Sequence, residues 1–155
     1  MREIYYDFSP IGGSGIFAKQ MIQKNEAIFT IRGTQRITHS YSRTFSPTGP
    51  NWVAVGTEEW LIPAPTNPWP YINHSCNPNA GFKGTLTVVA MRTIRAHEEI
   101  LIDYAITEED PFWRMHCLCH APQCRKQIRS APFLPKPLLK KYQHYLPRFL
   151  QYLIH

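Results

Sequence analysis

The apolar residues of this chain come in short runs, several of them bounded by glycine or proline, and that punctuation limits the fold more than any other feature. Segments 3–8, 27–32, 52–55, 60–62, 86–91 and 100–103 are of strand length and rich in β-branched and aromatic residues. The stretch from Gly81 to Val88 reads as a hairpin with Lys83-Gly84 at its turn. Pro63, Pro65, Pro68 and Pro70 hold the approach to residue 73 extended, because each restricts its own φ and the residue before it. The expected fold class is mostly β, with several small sheets. Helical spacing appears only at the end, in Leu138, Leu139, Tyr142, Tyr145, Leu146, Phe149, Leu150 and Leu153. Pro147 interrupts it, so a kinked or two-part helix is expected, packed on the domain or on a second subunit of a homodimer.

Seven residues occur twice in similar form, Ile22–Ile28 and Ile94–Ile100, each as a turn that feeds a strand. Two copies of seven residues do not make a solenoid. Formal charge is +6, and no Asp or Glu follows Asp110. A basic tail of this kind suits phosphate or an acidic partner, but without an interleaved aromatic motif it reads as a solvated face, and nucleic acid is not expected. Glu108, Glu109 and Asp110 form the densest acidic cluster and could meet a cationic peptide. The chain opens without an apolar signal region and has no apolar run long enough to span a membrane, so a soluble intracellular protein is expected.

Three of the four cysteines, Cys117, Cys119 and Cys124, crowd into eight residues. That crowding favours a metal over two disulfides, and a structural zinc needs four ligands. His116 and His120 compete with cysteine as ligands, and a redox pair or buried thiols are the other readings. Gly12-Gly13-Ser14-Gly15-Ile16-Phe17-Ala18 is a tight glycine loop between apolar stretches, without the third glycine and helix of a dinucleotide fingerprint. Taken singly, the loop is a plain turn, His74 is a core histidine, and Tyr104 is a packing residue at a strand end.

Together the motifs say more. Tyr71-Ile72-Asn73-His74-Ser75-Cys76-Asn77-Pro78-Asn79 is followed by Glu98-Glu99-Ile100-Leu101-Ile102-Asp103-Tyr104, then by Cys117-Leu118-Cys119 and Cys124. In this order and spacing they resemble the SET-domain protein lysine methyltransferases with their cysteine-rich post-SET segment, over roughly residues 3–128. The resemblance implies a β-clip (SET) fold with a pseudoknot near Asn73, spanning 3–106, then a post-SET segment at 107–130 and a helical extension at 131–155. It implies S-adenosylmethionine as methyl donor, touched by Gly13, Ser14, Gly15, Ile16, Tyr71, Asn73, His74 and Tyr104. Tyr104 takes the catalytic place, and Asp103 orients the local backbone. Ile102 and Trp113 fall on the substrate channel, which Trp52 and Trp69 could also wall. Ile102 stands where the family commonly has Phe or Tyr, which implies room for a second or third methyl group. Cys76, Cys117, Cys119 and Cys124 become a zinc clasp. Asn25, His97 and His120 stand where the family usually has glycine; Asn and His are among the side chains that best tolerate positive φ. The implied partner is a protein or peptide lysine, commonly of a histone. The competing readings are a non-catalytic, zinc-stabilised peptide-binding module and a zinc-knuckle nucleic-acid binder.

Overall fold

Short strands with one apolar face each cannot build one broad sheet, and in the computed structural model they do not. The model describes residues 2–38, 52–57 and 59–154. In chain order the strands are β1 (Ile4–Ser9), β2 (Gly13–Ala18), β3 (Ala27–Thr30), β4 (Gly33–Thr38), β5 (Val53–Gly56), β6 (Glu59–Pro63), β7 (Asn73–His74), β8 (Ala80–Lys83), β9 (Thr87–Ala90), β10 (Leu101–Ile102), β11 (Arg114–His116) and β12 (Gln127–Arg129). Among the described residues they make five sheets: β1-β2, β3-β9-β8, β4-β6-β5, β7-β10 and β11-β12. All pairs are antiparallel except β7-β10, which is parallel. The mostly β expectation holds.

Three details differ from the expectation. The glycine run is not a loop throughout: from Gly13 onward it is β2, paired residue for residue with β1. Gly13 turns the corner at φ 78, a conformation open to glycine at no steric cost. The second hairpin turns one residue later than expected, because Lys83 still pairs with Thr87 and Gly84 takes φ 70. The strand expected over 100–103 is only Leu101–Ile102, because Asp103 leaves the ladder to cap the turn that follows.

The seven-residue echo is a true structural repeat. Ile22 and Ile94 exchange backbone hydrogen bonds at 2.9 Å each way. Asn25 and His97 both hold positive φ, at 68° and 64°. Glu26 and Glu98 each accept from the backbone N–H three residues earlier, Gln23 and Arg95. The two turns thus lean on each other and on the same core.

That core is built largely of isoleucine. Ile16, Ile22, Ile28, Ile94, Ile100, Ile102, Ile106 and Ile128 are fully buried, and Phe82 packs beside Trp69. The C-terminal segment divides as Pro147 requires, into α1 (Lys136–Tyr142) and a 3-10 helix over Arg148–Ile154. Its apolar residues Tyr142, Tyr145, Leu146 and Leu150 are buried in this same core, so the segment packs on its own domain. Among the described residues no helix is long and apolar enough to cross a membrane.

Candidate functional site

The two motifs that lie far apart in sequence meet as the parallel pair β7-β10, where the resemblance places the pseudoknot. Asn73 sits opposite Leu101 and His74 opposite Ile102. Ser75 N–H donates to Ile102 O, and Asn79 closes the junction with its side chain, accepting from Leu101 N–H and donating to Glu99 O. An asparagine suits this place because its amide offers both a donor and an acceptor.

Tyr104 begins a 3-10 turn over Tyr104–Thr107, and the buried Asp103 side chain caps it by accepting from Ala105 N–H. The Tyr104 hydroxyl donates to Ile72 O at 2.7 Å, one residue from Asn73. Its backbone N–H donates to His74 Nδ1 at 3.1 Å. Burial, helped by the Glu99 carboxylate, pushes the Tyr104 phenol up to about 12, so at neutral pH it is a hydrogen-bond donor. Burial lowers His74 to about 4, against the pull of Asp103 and with Arg125 adding to it. A neutral ring that accepts at Nδ1 carries its proton on Nε2.

The glycine hairpin approaches the same place. Residues 98–100 lie along β2, with Ala18 N–H bonded to Glu98 O and Ile100 N–H to Ile16 O. Asn73 Nδ2 donates to Ser14 O and to Glu99 Oε1, both at 2.8 Å. A Cβ on Gly12 would collide with Asn73 Oδ1, and one on Gly15 with Glu99 Oε1. Glycine at these two positions therefore lets the hairpin close on the amide and the carboxylate.

Not every expected site residue lies here in the expected way. Ile16 is fully buried, so its side chain belongs to the core and not to a ligand surface. Ile102 is also fully buried: it packs inside the core and does not stand on an open channel wall. Trp69 is a core residue too, packed by Phe82. Tyr71 is exposed and meets Tyr6 edge-on at 5.0 Å. Trp113 is half-buried against the core. The acidic cluster is spent locally: Glu108 is buried and accepts from the N–H groups of Glu109 and Asp110, while Glu109 accepts from Tyr152 and Thr57. Glu99 and Arg125 were missed as site residues, since neither type carries a spacing signature of its own.

Behind His74 lies a cluster of soft donors. His74, Cys76, Cys117 and Cys119 bring their ligand atoms within 4.8 Å of one another. The expected set has Cys124 where this cluster has His74. Cys124 is at the edge, its Sγ 3.7 Å from Cys117 O. Tetrahedral metal–sulfur bonds of about 2.3 Å set sulfurs about 3.8 Å apart, and Cys76 and Cys117 Sγ are 3.7 Å apart. The donor set and its spacing therefore fit zinc. Burial raises Cys119 but loses to the N–H groups of Cys76 and Ala121 and to the neighbouring thiols, which bring it down to about 7. His74 Nε2 lies 3.5 Å from Cys76 Sγ, a distance at which its N–H can donate to sulfur. Arg125 donates to the same sulfur from its backbone and Nε, and to Asp103 from its guanidinium. Tyr142 of α1 donates to the other Asp103 oxygen at 3.0 Å.

The family model described as the SET domain matches residues 13–105. The chain belongs to the SET domain family. A histone-lysine N-methyltransferase, H3 lysine-4 specific, of Schizosaccharomyces pombe is 28% identical over 138 residues, covering 80% of this chain and 15% of that protein. The like-named protein of Cryptococcus neoformans is 44% identical over 62 residues, 35% of this chain and 4% of that one. This SET chain thus spans a small part of the length of these relatives. Among solved structures, a Plasmodium falciparum protein described as a candidate histone methyltransferase is 27% identical, with a TM-score of 0.51, covering 67% of this chain and 94% of that one. KRYPTONITE, solved with DNA, an H3 peptide and SAH, gives a TM-score of 0.66 at 18% identity over 83% of this chain and 30% of its own; it supports the fold alone.

Proposed function

We propose that this SET domain transfers a methyl group from S-adenosylmethionine to the side-chain amine of a protein lysine, with histones as the first substrates to test. The observation that carries the reading is the Tyr104 hydroxyl held on Ile72 O, one residue from Asn73. The histone-lysine names of the relatives support the choice of substrate.

The bound donor supplies a sulfonium methyl that is already electrophilic. The chain's residues then have to bind and align. Gly13, Ser14 and Gly15 offer backbone at the hairpin, and Asn73 offers its amide beside them. Tyr104 keeps its proton at neutral pH, so it acts by hydrogen bonding and electrostatics and not as the base that frees the amine. The buried, neutral His74 holds the Tyr104 backbone, and Asp103 holds the turn.

Zinc is the structural metal of this reading, held by Cys76, Cys117, Cys119 and Cys124, with His74 donating its Nε2–H to Cys76 sulfur. The ring cannot ligate through Nε2 while Nδ1 accepts from Tyr104 N–H. The metal would tie the post-SET segment to the strand beside Tyr104.

Incubation with methyl-labelled S-adenosylmethionine and core histones, followed by mass spectrometry, tests the activity. Label on lysine side chains is expected. Protein that binds the donor yet labels no lysine in histones or in a broad protein mixture would overturn it.

A further inference from the structure

We propose that the ribbon β11-β12, together with the basic end of α1, is a docking surface for the phosphate backbone of duplex DNA.

Charge is the first observation. Every Asp and Glu of the chain lies at or before position 110, and eight of its 17 Lys and Arg lie beyond it. The whole positive excess therefore belongs to the C-terminal part. The sequence presents that part as a solvated face, and the fold gives it an arrangement. In the β11-β12 register Arg114 stands opposite Arg129, and His116 opposite Gln127. Strand alternation sends these four to one face, where all are exposed, while Met115 and Ile128 turn inward. Two arginines directly opposite each other repel. Among the described residues no carboxylate offsets this: none pairs with Arg114, Lys126, Arg129, Lys136, Lys140 or Lys141. Ile128 is fully buried, so the ribbon is seated and cannot roll its arginines towards an acid. Arg129 is also fixed from one side, its guanidinium 3.4 Å from the centroid of the Phe133 ring. An arginine stacked on an aromatic face keeps its in-plane donors free for an anion.

One carboxylate joins α1 to this ribbon. Asp103 accepts from Arg125 with one oxygen and from Tyr142 with the other. Lys126 follows Arg125 just before β12, and Lys141 precedes Tyr142 at the end of α1; both lysines are exposed. The basic patch thus continues from the ribbon to the helix.

The chemistry of the patch selects its partner. A duplex presents a phosphate charge about every 1.7 Å of its axis, an unbroken row of anions that suits a cluster of like charges. Acidic side chains on a protein come interspersed with other groups. The Phe133 face is taken by Arg129, so it is no platform for unstacked bases, and this disfavours a single strand. B-form DNA is the duplex that fits, because its major groove admits a two-stranded ribbon and the narrow groove of A-form RNA does not.

Fluorescence anisotropy of a labelled random-sequence DNA duplex, titrated with the full chain, tests the surface. It needs neither methyl donor nor histone, so its outcome is independent of the methyl-transfer reading. Phosphate contacts from Arg114, Lys126, Arg129 and Lys141 predict a slope of about −3.6 in log affinity against log salt, or about a hundredfold loss from about 50 to 200 mM. Arg114→Gln with Arg129→Gln should flatten that slope by about 2 and weaken binding at least about tenfold in low salt. Lys24→Gln with Lys83→Gln removes the same charge from exposed sites elsewhere and should leave affinity within about threefold. If the double arginine variant does not fold, Lys126→Gln and Lys141→Gln should each flatten the slope by about 1, and unchanged slopes in both overturn the assignment. No binding in low salt, or equal weakening by the two double variants, overturns it as well. So does tighter binding of single-stranded DNA, duplex RNA or polyglutamate of equal charge.

Discussion

Tyr104, whose hydroxyl sits on Ile72 O, and the adjoining Asn73 should fail in different ways when changed. Asn73→Ala removes an amide that would touch the bound ground state, so S-adenosylmethionine affinity should fall about tenfold. Under the proposed function Tyr104→Phe deletes the hydroxyl that acts at the reacting centre, so affinity should stay within about twofold while transfer slows about a hundredfold. Calorimetry and single-turnover rates on the two variants separate these effects. The proposed zinc ligands divide the same way. Cys124→Ser should lose zinc by elemental analysis, whereas His74→Gln should keep it; the opposite result would make His74 the fourth ligand. These side chains were legible as types because their motifs carry spacing. The position of His74 among the sulfurs was not, since the folding of β7 against β10 sets it. Nor was Glu99, whose partner Ser9 lies 90 residues away.

Among the elements, α1 does more than cover apolar surface. Tyr142 and Arg125 both end on Asp103, which caps the turn that starts at Tyr104. Tyr142→Phe leaves a fully buried Asp103 oxygen one donor short, so stability should drop by about 1–3 kcal/mol in denaturant unfolding, with slower transfer at unchanged cofactor affinity. Glu108 makes a second prediction. Burial raises its pKa above the usual 4.5. The folded chain therefore keeps this proton to higher pH than the unfolded chain, so its contribution is full in acid and is lost as pH rises through the folded value. Glu108→Gln should raise the melting temperature near neutral pH and change it little below 4.5. Sequence missed several elements for physical reasons. β7 is two residues long, too short to show any period. β11 and β12 each hold a single apolar residue, Met115 and Ile128, between polar ones. β2 hid behind its glycines, which spoil a strand pattern even when the register is regular.

For the whole molecule, fold class was legible because short β-branched runs and frequent turns leave few other solutions. What stayed hidden is how the small sheets lock together, since that depends on contacts such as Ile22 with Ile94 and Asp103 with Tyr142. Cys76 of the cysteine cluster, Arg125, Asp103 and α1 form one chain of contacts running to Tyr104. The most direct measurement of the central claim is single-turnover transfer of labelled methyl to histone lysine, run beside donor binding on the same samples. The account predicts label on lysine from the wild type, and donor binding without appreciable label from Tyr104→Phe. Equal transfer by the two proteins, or no transfer by wild type that binds the donor, would contradict it.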